Sequence, residues 1–404
     1  MKNRRGCIGI LDHTGSELGG GQLVAGCMAE TLSRHFEVEV IESRPEHNLE
    51  RLSRAFSLDL GLVRLRTVSE VSESFQIPGP RGIIEQLRKS NSQVLSQPYD
   101  LFIYSGHGAP PLNYACSGLV YCHFPFESRP DERSLRCEPR WLERNKMDRW
   151  LRLRAYQYFW QKRMRGYDKI LTNSHFTAGW IERRWARRAE VLYPPIQMTV
   201  PPAGKRNLIV SVARFTGGKR SKHQLEMVRA FREFVAQAGA QWELTLIGSC
   251  EKSVAGPDYL QAVRYAAQGL PVTFLVNENR EVICRSLAEA QFFWHAAGLL
   301  IDETQQPDEA EHFGVATVEA MRAGCVPVVI ASGGQREIIQ DGVNGFLAHD
   351  LSELVQKSIT LTRQEKVLLT MGRNARQRSL AFTRSVFDRQ ISEIVAQCLH
   401  SRPT

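Results

Sequence analysis

No apolar run in this 404-residue chain approaches the about 18 residues that span a bilayer; stretches such as VPVVIA from Val326 and FLV from Phe274 are far shorter. The charged start MKNRRGCIGILDH has no signal-peptide core, so a cytoplasmic protein is expected. The nine cysteines, at 7, 27, 116, 122, 137, 250, 284, 325 and 398, are odd in number and scattered, and form no Cys-x-x-Cys pair. That argues against a disulfide framework and a zinc ribbon. Asp-x-Asp is absent and no close His/Cys cluster occurs, so neither metal nor cofactor is called for. Gly-x-Gly-x-x-Gly and Gly-x-x-x-x-Gly-Lys-Ser/Thr are also missing, which leaves a nicotinamide dehydrogenase or a P-loop hydrolase without support.

What is present is ordinary for a folded protein. Hydrophobic residues make up 43% and charged residues 24%, with 30 glycines and 18 prolines spread along the chain, which excludes disorder and fibrous repeats. One core stops growing near roughly 250 to 300 residues, so two domains are expected. The net charge of +9 invites an anionic partner and is held mostly in the first half: residues 1–200 carry 29 Lys and Arg against 22 Asp and Glu, residues 201–404 carry 23 against 21. Segment 129–165, from Arg129 to Arg165, has 12 basic and 5 acidic residues, with Trp141, Trp150, Tyr156, Tyr158, Phe159 and Trp160 among them. Such a stretch fits docking on an anionic membrane and equally a solvated helix face. Nucleic acid is a third reading, but no recognisable nucleic-acid module accompanies the charge, so no nucleic-acid partner is expected.

Strand-like stretches alternate with amphipathic ones. CIGIL at 7–11, a helix over 22–35 and VEVIES at 38–43 set a β-α-β rhythm, which returns in DLFIYSG at 100–106, GLVYCHFP at 118–125 and DKILTNS at 168–174. VLYPPIQMTVPPAGKRN, with four prolines, breaks it and reads as an interdomain connection. The rhythm restarts with NLIVSVA at 207–213, a helix through Leu225 and Phe231, then WELTLIGS, PVTFLV, AAGLLID and CVPVVIA, and residues 386–399 make a last amphipathic helix. The expected fold is α/β: two Rossmann-like, doubly wound domains, 1–198 and 199–376, facing one another across a cleft, with a C-terminal helix within 377–404 returning toward the first. Open sheets of this kind bind ligands at the carboxyl ends of their strands.

The most informative segment is EHFGVATVEAMRAGCVPVVIASGGQREIIQDGVNGFL, in which seven residues, Phe313, Gly314 and Val315 among them, separate Glu311 from Glu319. A helix starting after Gly314 has first-turn N–H groups without intrahelical partners and a positive dipole end, which suits a phosphate. Glu319, one turn in, suits a ribose diol, and Glu311 lies nearer the reacting group. Two solvated glutamates flanking a helix start are the bland alternative. In SVARFTGGKRSKHQLEMVRAF a strand end runs through a basic loop into a helix, which in isolation is an ordinary solvated surface but whose fixed positive charges would suit a leaving diphosphate. Gly19, Gly20 and Gly21 lie between strand and helix, where backbone can approach a pyrophosphate or an acceptor. His123 closes a buried-looking strand, whereas His107, His295 and Trp294 read as structural.

These segments together resemble the retaining glycosyltransferases of family 4, which have the GT-B fold. EHFGVATVEAMRAGCVPVV followed by GGQREII and GVNGF looks like that family's Glu-x7-Glu segment, and FFWHAAGLL like the stretch preceding it in mannosyltransferases that extend lipid-linked oligosaccharides. LGGGQLVAGCMAETLSRHFEVEV resembles the family's Gly-Gly turn and first helix, with Gln22 where an acidic residue is commoner. DKILTNSHFT and VLYPPI match the approach to the linker. Arg214 and Lys222 resemble the family's paired cations, with Lys222 nine residues before Phe231; the inserted GGKR makes Lys219 and Arg220 rivals for the second role.

The resemblance implies metal-independent transfer of a hexosyl group with retention, from a nucleotide-diphosphate sugar, GDP-mannose before UDP-sugars, to a lipid-linked or oligosaccharide acceptor. It places the acceptor on the N-terminal domain and the donor on the C-terminal one. Arg214, Lys222, Glu311 and His123 become the expected catalytic residues, with Gly19, Gly20, Gly21, Phe313, Gly314, Val315 and Glu319 at the donor. The protein is expected in the cytoplasm or peripherally at the inner face of a membrane. A silent nucleotide-sugar binder and a basic nucleic-acid-binding protein are the alternatives from other classes.

Overall fold

The computed structural model describes residues 6–14, 19–42, 49–68, 95–126, 154, 158, 160–218, 221–250 and 255–400. Lys219, Arg220 and most of the basic segment 129–165, including Trp141, Trp150, Tyr156 and Phe159, lie outside the described residues. The chain divides into two compact units, Met1–Pro195 with Phe387–Thr404, and Ile196–Val386.

Unit 1 is built on seven parallel strands: β1 (Cys7–His13), β2 (Glu37–Glu42), β3 (Val63–Thr67), β4 (Leu101–Gly106), β5 (Ser117–Cys122), β6 (Lys169–Thr172) and β7 (Glu190–Val191), in the order β3-β2-β1-β4-β5-β6-β7. Its helices are α1 (Gly20–Ser33), α2 (Leu49–Phe56) and α3 (His175–Trp185). Successive strand side chains face opposite sides of a sheet. Ile8, Ile10, Val38 and Val40 therefore pack with Leu23, Val24, Cys27 and Met28 of α1 on one face. Leu11, Ile41, Phe102 and Val120 pack with Trp160, Met164 and Trp185 on the other.

Unit 2 repeats the plan with six parallel strands: β8 (Arg206–Val212), β9 (Glu243–Gly248), β10 (Val272–Val276), β11 (Ala290–His295), β12 (Val326–Ile330) and β13 (Phe346–Ala348), in the order β10-β9-β8-β11-β12-β13. Around them lie α4 (Gln224–Ala238), α5 (Ala255–Ala266), α6 (Arg280–Glu289), α7 (Val315–Arg322), α8 (Gln335–Ile338), α9 (Leu351–Thr362) and α10 (Glu365–Ser379). Met227, Val228, Phe231 and Phe234 recur at helical spacing on α4 and are fully buried, with Phe231 and Phe234 edge-on to Trp294. Trp294 is a core residue whose Nε1 donates to Ser358 Oγ at 3.0 Å. The last helix, α11 (Arg384–His400), belongs to unit 1 from Phe387 onward, and Phe387, Ile391 and Val395 enter the α1-side core of that unit.

In both units the chain winds outward from the first strand, crosses back and continues from the fourth, so the order reverses between β1 and β4 and between β8 and β11. Those switch points open crevices at the carboxyl ends of the strands. One expected strand is absent: AAGLLID is a turn, because Gly298 (φ +80) and Leu300 (φ +61) take left-handed conformations, and the strand is the preceding AQFFWH. Among the described residues, no helix is long and apolar enough to cross a membrane.

Candidate functional site

The switch point of unit 2 gathers charge. After β8 the chain passes Arg214, whose side chain is exposed, and turns into α4. Gln224, the first residue of α4, donates from Nε2 to the carbonyl oxygens of Ala213 (3.3 Å) and Arg214 (2.9 Å), tying the loop to the helix that Phe231 anchors in the core. Two residues before that helix, Lys222 Nζ lies 2.8 Å from Glu311 Oε2. The neighbouring strand β11 ends on His295, whose Nε2 lies 2.9 Å from the same oxygen. His295 is 4% exposed, and its Nδ1 has no partner among the described residues. Burial alone would raise the Glu311 carboxyl, but the Lys222 ammonium and the His295 hydrogen bond outweigh it and hold the group well below the usual carboxylate range. Glu311 is thus an ionised carboxylate held between the loop before α4 and the end of β11.

Gly314 follows at φ +117, a conformation that favours glycine, and α7 starts at Val315 with no acidic residue in its first turn. The amides of that turn lack intrahelical acceptors, so the ionised carboxylate and the helix's positive end are adjacent along the chain, and Lys222 joins them through its ion pair with Glu311. Two further glycines hold the loop in place. A Cβ on Gly333 would lie 2.1 Å from the Glu311 carbonyl oxygen, and one on Gly334 would lie 2.6 Å from that of His312. The Gly334 N–H donates to the Glu311 carbonyl at 2.8 Å. The GGQREII motif therefore serves as the backing on which Glu311 is set.

Glu319 lies one turn into α7, buried at 5% exposure, and is ion-paired with Arg280 of α6. Sequence reasoning left this carboxylate to a diol alone, whereas a guanidinium already occupies one of its oxygens. The Phe313 ring is 3% exposed and edge-on to Phe382, so what this residue can offer a ligand is its backbone. Val315 is half-buried at the helix start.

In unit 1, His123 follows β5 directly. Its Nε2 lies 3.0 Å from Ser105 Oγ, its N–H donates to Gly106 at 3.1 Å and its carbonyl accepts from Asn173 Nδ2 at 2.8 Å. The ring sits beside Tyr121 and His107, near the crevice between β1 and β4. Gly20 and Gly21 are the first two residues of α1 rather than a free turn, and the Gly19 N–H is capped by Gln22 Oε1 at 2.9 Å. Gly21 is required because a Cβ there would lie 2.6 Å from the Thr14 methyl.

Sequence reasoning missed two partners of the site. His295, read as structural, binds Glu311; its place at a strand's carboxyl end was the available signal. Arg280 opens an ordinary amphipathic helix and gave no signal. A cavity of about 930 Å³, lined by Lys205, Trp242, Gln291 and Arg376, contains none of these site residues.

Residues 197–378 match the family model "Glycosyl transferases group 1". Those residues form a domain similar to the group 1 glycosyl transferases. The domain's site residues from Arg214 to Glu319 all fall within the matched span. The chain is 28% identical over 261 residues to the human Alpha-1,3/1,6-mannosyltransferase ALG2, covering 57% of this chain and 59% of that protein. It is 27% identical over 231 residues to a GDP-Man:Man(3)GlcNAc(2)-PP-Dol alpha-1,2-mannosyltransferase of Xenopus laevis, covering 52% and 44%. The aligned part thus spans about half the length of these relatives. Among solved structures, Anabaena Alr3699/HepE in complex with UDP and glucose superposes with TM-score 0.65 at 17% identity, covering 97% of this chain and 100% of that one. A glycosyltransferase from Rickettsia africae gives TM-score 0.68 at 13% identity, covering 99% and 100%. With two Rossmann-like units of parallel strands, the matched domain is part of a GT-B fold.

Proposed function

We propose that this protein is a metal-independent, retaining glycosyltransferase that moves a hexosyl group from a nucleotide-diphosphate sugar to a lipid-linked or oligosaccharide acceptor. GDP-mannose is favoured over UDP-sugars, because two of the relatives are mannosyltransferases and one names GDP-mannose as its donor. The observation that carries the reading is the Lys222–Glu311–His295 cluster at the switch point, directly before the amino end of α7.

In this reading the donor diphosphate lies on the first amides of α7, where the helix dipole favours negative charge, and Arg214 and Lys222 neutralise the charge that develops as the sugar–phosphate bond breaks. The incoming phosphate draws Lys222 from Glu311, and the carboxylate, still held by His295, orients the sugar hydroxyls. Glu319, steadied by Arg280, takes the ribose diol. The acceptor hydroxyl attacks on the face the diphosphate leaves, and the departing phosphate oxygen accepts its proton. His123 is the residue of unit 1 assigned to the sugar and its developing charge. The reading includes peripheral membrane attachment through segment 129–165.

Incubation with radiolabelled GDP-mannose, UDP-glucose and UDP-N-acetylglucosamine plus a crude lipid extract tests it. Labelled lipid product with release of free nucleotide is expected. Binding without turnover would make the protein a silent nucleotide-sugar binder, and binding of none would end the reading.

A further inference from the structure

We infer that unit 1 carries a hydroxyl-binding saccharide subsite formed by Glu42 and Asp12 beneath the amino-terminal turn of α1. It rests on the glycosyltransferase reading and names the residues that take the acceptor sugar. By the two-residue alternation of strands, Asp12 lies on the same face of β1 as Ile8 and Ile10, and Glu42 on the same face of β2 as Val38 and Val40. Those four apolar residues pack against α1, so both carboxyl side chains project toward α1 at the carboxyl edge of the sheet. Parallel pairing of Leu11 with Ile41 sets Asp12 beside Glu42. There α1 begins with Gly20 and Gly21, which lay no side chains over the pair.

Glu42 is only 4% exposed, yet neither carboxyl oxygen has a hydrogen-bond partner among the described residues. A buried, doubly unpaired carboxyl is costly, and packing gives it no compensation. Asp12 differs: its Oδ1 accepts from Thr14 N (3.1 Å) and Thr14 Oγ1 (2.6 Å), and Thr14 abuts Gly21. Burial, reinforced by the Asp12 charge, pushes Glu42 up to about 8; burial, partly offset by Thr14, pushes Asp12 up to about 6. At neutral pH Glu42 then offers an O–H donor and Asp12 an ionised acceptor. A sugar hydroxyl both donates and accepts, so it suits this pair better than an ammonium group, which has only donors to offer.

The test uses the full chain and a panel of methyl α-hexopyranosides of manno, gluco, galacto and N-acetylglucosamine configuration, read by saturation-transfer NMR. Wild-type protein is expected to bind at least one, and Glu42→Met to weaken it on the order of tenfold. Glu42→Met should leave nucleotide-sugar binding unchanged and should not lower Tm, since an apolar group replaces an unpaired carboxyl. No saccharide signal in the wild type, equal binding by Glu42→Met, or a fall in Tm showing that Glu42 is a packing residue would each overturn the subsite. Nucleotide-sugar binding and turnover are scored separately. Their loss in the wild type would sink the glycosyltransferase reading, while their presence without saccharide binding would sink the subsite alone.

Discussion

Lys222 Nζ and Glu311 Oε2 lie 2.8 Å apart, joining the loop after β8 to the loop after β11 across the switch point of unit 2. The ion pair holds the ammonium beside Glu311 until a donor draws it away. Once on the diphosphate it stabilises the developing charge, and losing one such donor slows turnover by about 100-fold or more. Lys222→Ala is expected to lower kcat on that scale in the radiolabel assay. Unchanged turnover would transfer the role to Lys219 or Arg220.

Glu319 is expected to contribute binding equally in ground and transition states. Glu319→Ala should raise the donor KM, with kcat nearly unchanged, in steady-state kinetics with varied nucleotide sugar. A pure kcat loss would contradict the ribose assignment.

Much of this site was legible in the sequence, and the unread part has physical reasons. Glu311, Gly314 and Glu319 sit on one short segment, so their spacing alone placed a carboxylate before a helix start and another one turn inside. Lys222 was singled out by resemblance, its place nine residues before Phe231 matching the family's pattern, and no periodicity gave it. His295 and Arg280 reach the site from other elements, and no local pattern records such tertiary pairing. The strands read well where apolar runs were continuous. AAGLLID failed because apolar content says nothing of the left-handed backbone at Leu300.

The backing of Glu311 by Gly333 makes a stability test. Gly333 has φ +53, and a Cβ would meet the Glu311 carbonyl oxygen at 2.1 Å; Gly269 has φ +74 and open space around its Cβ position. Gly269→Ala should cost about 1 kcal/mol from backbone strain alone, and Gly333→Ala clearly more. Thermal melts of the two variants compare them directly. Gly333→Ala should also reduce turnover, because the clash displaces Glu311.

The carboxyl pair of unit 1 makes a pH test. Glu42 rises from 4.5 to about 8 and Asp12 from 3.8 to about 6, so between about 4 and 8 the folded state binds more protons than the unfolded one. Stability contributed by these groups is full below that window and is lost as pH rises through it. Urea unfolding from pH 5 to 9 should show Glu42→Gln gaining on wild type as pH rises toward 8. A constant difference between the two would show that Glu42 titrates normally.

Calorimetric titration of GDP and of UDP, with and without EDTA, into wild-type and Lys222→Ala protein tests most directly whether protein charge alone holds the diphosphate. The account expects one of the nucleotides to bind equally well with EDTA and on the order of tenfold or more weakly without Lys222. Binding that EDTA abolishes, or that ignores the loss of Lys222, would contradict it.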